Sequence, residues 1–283
     1  MIARLPGVWL GYDDSGRGVP LLLLHGFPHD RSIWGPVRQG LAGRARCIAP
    51  DLRGFGESTT HGPFSMDQYA DDLVALLDRL QLPSVVVAGL SMGGYVAFAL
   101  WRRYPARVRA LVLCDTRADA DDEAGRRRRE ELVGVARREG ARAIAQRMMP
   151  GMVGATTRAR RPEVVQLLQA VMTRQPVAGI AGALHAMRDR PDSRATLETI
   201  SVPVLVLVGE EDALTPVRDA EALAAALPAA ARARLEVVAE AGHVACLERP
   251  SATTHALADF LATLDRPPSP LTPPWHDRPD LGQ

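Results

Sequence analysis

The segment Gly89-Leu90-Ser91-Met92-Gly93 places one serine between two glycines, where the sequence pattern changes. An apolar, β-branched run at 84–88 precedes it and a helix-like run at 94–101 follows. A strand, sharp turn and helix hold such a serine in a strained backbone conformation, which only tiny neighbours two positions away allow. The hydroxyl then stands beside helix N–H groups that can stabilise an oxyanion. This setting predicts a nucleophilic serine, although the bare five-residue pattern also arises by chance.

A serine hydroxyl needs a base to accept its proton and a carboxylate to orient that base. His243 follows the last predicted strand, where a loop at the carboxyl edge of the sheet would place it. We therefore predict that His243 is the base, with an ordinary hydrogen-bonded loop histidine as the alternative. The other six histidines fit less well, because they lie in an early loop, a later loop, the central insertion, the terminal helix and the tail: His25, His29, His61, His185, His255 and His276.

The orienting acid should follow a strand and precede His243. Asp212 does so, because Gly209 lets the chain turn off the strand just before it. Asp115 is a rival, since it ends the predicted strand at 108–114 directly after the serine segment. The chain order Ser91, Asp212, His243 is the order expected for a nucleophile at such a turn, so Asp212 is the predicted acid.

An oxyanion hole needs two backbone N–H donors. One is predicted to be Met92, the residue after the nucleophile. The other is predicted to be Phe27, in a loop that ends an early strand and turns at Gly26. The alternative is that residues 25–28 form an ordinary loop.

Apolar runs alternate with helical patterns along most of the chain. This alternation predicts an α/β fold with a mostly parallel, doubly wound sheet covered on both faces. The predicted strands are 19–26, 45–51, 84–88, 108–114, 202–208 and 234–239, and the predicted helices are 66–80, 93–103, 217–227 and 251–264.

Residues 117–196 differ from the rest, because they are rich in alanine, arginine and methionine and contain no convincing strand. We predict that they form a helical cap inserted into a core made of residues 1–116 and 197–265. Residues 266–283 are proline-rich and are predicted to be an extended tail. The arginine run at 126–129 is best explained as a solvated helix face.

The substrate pocket is less clearly marked in the sequence. The cap methionines are equally consistent with an adaptable apolar pocket and with helical core packing: Met148, Met149, Met152, Met172 and Met187. Trp34 lies just beyond the early loop and could flank an acyl group or belong to the core. The predicted pocket residues are His25, Trp34, Met149 and Met152.

Composition limits the possible functions. The formal net charge is +1, which argues against electrostatic capture of nucleic acid or an anionic membrane. The chain has no lysine, which excludes Schiff-base and P-loop lysine chemistry. Three widely spaced cysteines, no signal-like segment and no apolar run of about 20 residues predict a cytoplasmic protein.

Together the segments resemble the α/β-hydrolase family over residues 8–264. The resemblance rests on HGFP at 25–28, PDLRGFGES at 50–58, GLSMGG at 89–94, GEEDALTP at 209–216 and AGHVACLERP at 241–250. Within that family the chain looks closest to small esterases and 3-oxoadipate enol-lactonase-like enzymes. Haloalkane dehalogenase and epoxide hydrolase relatives have an aspartate where this chain has Ser91, which argues against both chemistries.

The resemblance implies a serine hydrolase that cleaves a small or medium carboxylic ester or lactone through an acyl-enzyme, with no metal or cofactor. An enol-lactone acid would need a cation near its carboxylate, but the sequence singles out no one arginine. The alternatives are a cofactor-free haloperoxidase or perhydrolase, a carbon–carbon bond hydrolase, or a ligand-binding signalling protein of the same fold. The sequence leaves the oligomeric state open.

Overall fold

The computed structural model of the protein describes residues 1–62 and 64–264. Within these ranges, eight strands form a single sheet in the order β1-β2-β4-β3-β5-β6-β7-β8. The strands are β1 (Ile2–Leu5), β2 (Val8–Gly16), β3 (Val19–Leu24), β4 (Ala45–Pro50), β5 (Val85–Leu90), β6 (Val108–Cys114), β7 (Val204–Gly209) and β8 (Arg234–Val238). The six strands from β4 to β8 in this order pair in parallel, whereas β1 and β2 are antiparallel.

Apolar side chains fill both faces of the sheet. In β3, Leu22 and Leu24 belong to the core on one face, and Leu21 and Leu23 to the core on the other. This happens because successive residues of a strand point to opposite faces, so a strand covered on both sides must be apolar at every position. The expected doubly wound α/β architecture is confirmed.

Eleven helices accompany the sheet in the described residues. They are α1 (Gly35–Leu41), α2 (Met66–Arg79), α3 (Met92–Arg103), α4 (Glu123–Met152), α5 (Ala155–Arg160), α6 (Pro162–Thr173), α7 (Val177–Arg188), α8 (Arg194–Leu197), α9 (Val217–Ala225), α10 (Ala245–Glu248) and α11 (Pro250–Leu264). Helices α2 and α3 pack together, and α1 packs with α11. Buried residues of α2 and α3 belong to one core, and those of α1 and α11 to the other, so the two pairs cover opposite faces of the sheet.

The antiparallel hairpin of β1 and β2 was not predicted. Its second strand carries Asp13 and Asp14 in place of an apolar alternation. The two carboxylates form ion pairs with Arg38 and Arg46, so partners distant in sequence compensate for their charge. A search for alternating apolar residues cannot detect a strand in which charged residues, compensated by ion pairs, occupy some of the positions.

Five helices, α4 to α8, occupy the chain between β6 and β7, with no strand among them in this fully described stretch. The long α4 is kinked at Gly140, where φ is 81°. Arg174 and Gln175 fasten the insertion to the core, because both donate hydrogen bonds of 2.8 Å to the buried Asp30 carboxylate. The division into core and cap stays our proposal, and the predicted tail at 266–283 lies outside the described residues.

No helix within the described residues is long and apolar enough to cross a membrane. Cytoplasmic location stays a prediction.

Candidate active site

The nucleophile turn has the geometry that its sequence predicts. Ser91 lies between β5 and α3 with φ 53° and ψ −111°, a strained conformation for a residue other than glycine. A Cβ on Gly89 would overlap the Gly93 carbonyl, and a Cβ on Gly93 would come within 2.5 Å of the Leu24 carbonyl oxygen. Both glycines are therefore required, because α3 approaches β3 and β5 too closely there for a side chain.

A hydrogen-bonded chain connects Ser91, His243 and Asp212. His243 Nε2 is 2.9 Å from Ser91 Oγ, and His243 Nδ1 is 2.8 Å from Asp212 Oδ2. When Nδ1 carries the proton and donates it to the carboxylate, Nε2 is free to accept the serine proton. The structure thus brings together the three predicted residues, each from a different loop at the carboxyl edge of the sheet.

The loop after β7 satisfies the Asp212 carboxylate. Oδ1 accepts hydrogen bonds from the N–H groups of Leu214 at 2.8 Å and Thr215 at 3.1 Å, and the Thr215 hydroxyl donates to Oδ2 at 2.6 Å. Burial alone would raise the pKa of Asp212, but the His243 side chain and these donors outweigh it and hold the pKa below its ordinary value. The carboxylate is therefore ionised beside the His243 ring.

Asp115, the rival acid, is also buried at this edge, but it has a different partner. Its Oδ1 accepts a 2.8 Å hydrogen bond from the Gly209 N–H, and Oδ2 has no partner among the described residues. Burial, followed by the nearby charge of Asp212, raises the pKa of Asp115 well above its ordinary value. This environment favours a neutral carboxylic acid behind Asp212.

The predicted oxyanion loop passes directly beside the nucleophile. A Cβ placed on Gly26 would lie 3.3 Å from the Ser91 Cβ, and Phe27 lines the same cavity as Ser91. Met92 is the first residue of α3, so its N–H has no partner within the helix. This arrangement is consistent with both predicted donors, and their role stays a prediction.

His25 does not line the cavity, contrary to the prediction. Its ring is fully buried, with Nδ1 2.9 Å from the Gly26 carbonyl oxygen and Nε2 accepting a 2.9 Å hydrogen bond from the Leu52 N–H. Burial lowers the pKa of His25, so the ring is neutral with its proton on Nδ1. Both nitrogens are occupied in bracing the loop that carries Phe27.

The Ser91 cavity has a volume of about 400 Å³ between the sheet edge and the insertion. Met152 lines it as predicted, together with Met148 and Met187. Trp34 and Met149 do not: Trp34 is fully buried in the core on the α1 side, and Met149 packs against that same core. Sequence spacing could not show which way these side chains point.

Sequence reasoning missed Glu248, whose carboxylate binds the loop that carries His243. Its buried carboxylate accepts hydrogen bonds from the N–H groups of Gly242 at 2.9 Å and Val244 at 3.2 Å, the residues on either side of His243. It also accepts one of 2.8 Å from Gly154 in the insertion. One carboxylate therefore holds the histidine loop and ties the insertion to it.

His29 is a second residue whose environment the sequence did not indicate. Both ring nitrogens are buried without a hydrogen-bond partner among the described residues. Burial, reinforced by His25 and His243, lowers the pKa of His29 to about 3. The ring is therefore neutral, and it lies close to Gly26, where an added Cβ would come within 3.4 Å of His29 Nδ1.

A strained serine follows a central strand of a mostly parallel eight-stranded sheet, and it is hydrogen-bonded to a histidine that in turn is hydrogen-bonded to an aspartate, both from later loops. These features define an α/β hydrolase. The chain belongs to this family, since the model for the alpha/beta hydrolase fold matches residues 19–250.

Among curated proteins, the chain is 33% identical over 216 residues to 3-oxoadipate enol-lactonase 2 of Acinetobacter baylyi, covering 74% of this chain and 76% of that protein. Among solved structures, it is similar to a thermophilic esterase from Thermogutta terrifontis, with 39% identity and a TM-score of 0.90 over 93% of this chain and 99% of that one. It is also similar to the enol-lactonase from Burkholderia xenovorans LB400, with 29% identity and a TM-score of 0.85 over 93% and 100% of the two chains.

Proposed function

We propose that the protein is a serine hydrolase that cleaves a small or medium carboxylic ester or lactone through an acyl-enzyme. The observation that carries this proposal is the hydrogen-bonded chain from Ser91 Oγ through both nitrogens of His243 to Asp212. The family supplies the hydrolase class, and the esterase and enol-lactonases among its relatives favour a carboxylic ester or lactone as substrate.

The proposed reaction begins when His243 Nε2 accepts the Ser91 proton as Oγ attacks the carbonyl carbon. The N–H groups of Phe27 and Met92 stabilise the resulting oxyanion. Collapse breaks the bond to the alkoxy oxygen, and His243 gives its proton to that oxygen. Water then attacks the acyl-enzyme with His243 again as base, which releases the acid and restores Ser91. Asp212 remains ionised throughout and stabilises the imidazolium.

Cavity size limits the substrate. A space of about 400 Å³ that reaches Ser91 lies at the small end of the range for ligand sites. Its apolar lining from Phe27, Met148 and Leu214 suits an acyl chain or a lactone ring. Small and medium substrates therefore fit this site best.

A substrate panel tests the proposal. Purified protein is assayed with p-nitrophenyl esters from acetate to laurate and with several lactones followed by pH-stat. We expect many turnovers per active site, with the highest kcat/KM at short or medium acyl length, because the cavity is small. Release of one equivalent of p-nitrophenol without further turnover would identify a ligand-binding protein that keeps the triad and would overturn the proposal.

The insertion is proposed to select the acyl group without taking part in the chemistry. Met148 lines the cavity and Met149, its neighbour in α4, does not. Replacing Met148 with alanine should therefore lower kcat/KM for hexanoate relative to acetate by about 10-fold or more, because it removes an apolar contact to the longer chain. Met149→Ala, matched in type and helix, should leave this ratio unchanged. If Met148→Ala lowers kcat equally for every ester, the insertion contributes to the chemistry.

A further inference from the structure

The insertion meets the loops of the proposed base and acid at one short segment, residues 153–156, which joins α4 to α5. Two carboxylates bind this segment. One belongs to Glu248, in the short helix α10 that follows His243, and the other to Glu211, which immediately precedes Asp212. We term residues 153–156, Glu211 and Glu248 the junction. It fastens the insertion to both loops at a single place.

The Glu248 carboxylate is completely buried, and its three hydrogen bonds to described residues all come from backbone N–H groups. Oε1 accepts those of Gly242 and Val244, and Oε2 accepts that of Gly154. The position requires a group that only accepts hydrogen bonds, because a donor placed there would face another donor. Glu248 thus fixes the residues on both sides of the base and holds them against the insertion.

Glu211 makes the corresponding contact for the loop of the acid. Its carboxylate accepts hydrogen bonds from the Thr156 N–H group, at 2.8 Å, and from the Thr156 hydroxyl. These hydrogen bonds lower the pKa of Glu211, so its side chain is ionised at neutral pH. The Glu211 N–H also donates to the Ala241 carbonyl oxygen at 2.7 Å, which joins the loop of the acid directly to the loop of the base.

Close packing requires glycine at the centre of the junction. A Cβ on Gly154 would overlap the Glu211 carboxylate and would lie 3.0 Å from the Gly242 nitrogen. A Cβ on Gly242 would in turn overlap the Gly154 nitrogen. Gly154 has φ −64° and ψ 159°, which any residue can adopt, so the restriction comes from its neighbours and not from its backbone.

The junction lies outside the Ser91 cavity. Residues 153–156, Glu211 and Glu248 are not among the residues that line it. The junction can therefore affect the reaction only through the loops that it holds. The selection of the acyl chain proposed for Met148 is a separate role of the insertion.

From these contacts we propose that Glu248 is a positioning residue for His243. It acts through the N–H groups on either side of the base, and Gly154 of the insertion completes its set of donors. His243 must meet Ser91 Oγ and Asp212 Oδ2 at the same time, so a small rotation of its loop lengthens one of the two hydrogen bonds. A displacement of about 1 Å can cost about 100-fold in rate. The inference rests on the proposed function and adds the contacts that align its base.

Gly154→Ala tests the junction from the side of the insertion. The added methyl group pushes against Gly242 and the Glu211 carboxylate without entering the cavity. We expect kcat to fall about 10- to 100-fold for every ester that the wild type hydrolyses, with KM little changed. Gly134→Ala is the matched control, because a Cβ at this position of the same insertion would meet the flexible end of the Arg138 side chain. Its kcat should equal that of the wild type.

Glu248→Gln tests the junction from the side of the base. The amide keeps the length of the side chain but replaces one acceptor with a donor, which must then face an N–H group. We expect kcat to fall about 10-fold or more with KM little changed, and Glu248→Ala to lose more, because all three N–H groups then lack their acceptor. Asp72→Asn controls for stability alone, since it alters a buried carboxylate that Arg53 binds outside both loops. It should lower Tm without lowering kcat.

Proton NMR measures the alignment of the base directly. The Nδ1 proton of His243, in a 2.8 Å hydrogen bond to the Asp212 carboxylate, should give a low-field resonance that depends on this hydrogen bond and needs no substrate. In Gly154→Ala and Glu248→Gln the resonance should move upfield or broaden. Both control variants should leave it in place.

The outcomes separate a positioning role from a structural one. Wild-type kcat and an unmoved resonance in folded Gly154→Ala and Glu248→Gln would overturn the inference, and so would a loss confined to KM or to long acyl chains. A uniform loss of kcat with a displaced resonance, beside unchanged controls, would support it. If Glu248→Gln fails to fold, Gly154→Ala decides, since its backbone conformation accepts alanine.

Failure of the proposed function would be recognised separately. Wild-type protein would then turn over no ester and would not be labelled by a fluorophosphonate. The His243 resonance would still report whether the junction aligns the ring with Asp212, because it is measured without substrate.

Discussion

Replacing Ser91 with alanine is expected to lower ester turnover by about 10⁴- to 10⁶-fold while the protein stays folded. The substitution removes the Ser91 hydroxyl, whose oxygen is 2.9 Å from His243 Nε2 and is the proposed nucleophile. Alanine is smaller than serine and lacks the hydroxyl, so the turn between Gly89 and Gly93 is retained. Any remaining rate would come from the oxyanion donors and substrate binding alone.

Steady-state kinetics and active-site labelling measure this effect. A fluorophosphonate should label wild-type protein at Ser91, as located by peptide mapping, and should not label Ser91→Ala. Ser65→Ala is a suitable control, because Ser65 is exposed and only caps α2 through the Gln68 N–H at 3.0 Å. Labelling at a different serine, or retention of more than about one per cent of activity, would show that Ser91 is not the nucleophile.

Local sequence patterns predicted most of the frame that holds this serine. Strands β3, β5, β6 and β7 are buried on both faces, so their apolar runs were detectable without knowledge of their neighbours. The nucleophile turn was equally predictable, because glycine is required there by overlap with adjacent backbone. These features depend on residues close together in the chain.

The direction of side chains was harder to predict. Trp34 and His25 both lie near the oxyanion loop in sequence, yet one is in the core and the other is hydrogen-bonded beneath the loop. Met148 and Met149 are adjacent and both pack against the core on the α1 side, but only Met148 also lines the cavity, because successive helical residues point about 100° apart. Nearness to a motif in the sequence cannot show which of two neighbouring helical residues faces the cavity.

The hydrogen-bond partners of buried polar side chains could not be predicted from the sequence, for another reason. Nothing in the sequence distinguishes Glu248 from the other acidic residues. Only the fold places its carboxylate among the N–H groups of Gly154, Gly242 and Val244, the last two of which flank His243. The contacts to Gly242 and Val244 depend on how the loop folds locally, and the contact to Gly154 joins residues 94 positions apart in the chain.

Replacing Asp212 with asparagine (Asp212→Asn) is expected to lower kcat by about 10³- to 10⁴-fold in folded protein. In the wild type, Asp212 Oδ2 is 2.8 Å from His243 Nδ1 and holds the proton on that nitrogen. An asparagine amide that donates to Nδ1 would shift the proton to Nε2, where it blocks acceptance of the Ser91 proton. The loss of negative charge also removes the stabilisation of the imidazolium.

Asp115→Asn is the matched comparison, because it makes the same chemical change to the other buried carboxyl group at the carboxyl edge of the sheet. Burial and the charge of Asp212 raise the pKa of Asp115 well above its ordinary value, so the substitution replaces one neutral group with another. Its side-chain oxygen can still accept the hydrogen bond from the Gly209 N–H, which is 2.8 Å in the wild type. We expect a loss of less than about 10-fold in kcat, since no transition-state charge depends on this group. Both variants are compared by kcat and by circular dichroism, and a larger kcat loss in well-folded Asp115→Asn than in Asp212→Asn would assign the orienting role to Asp115.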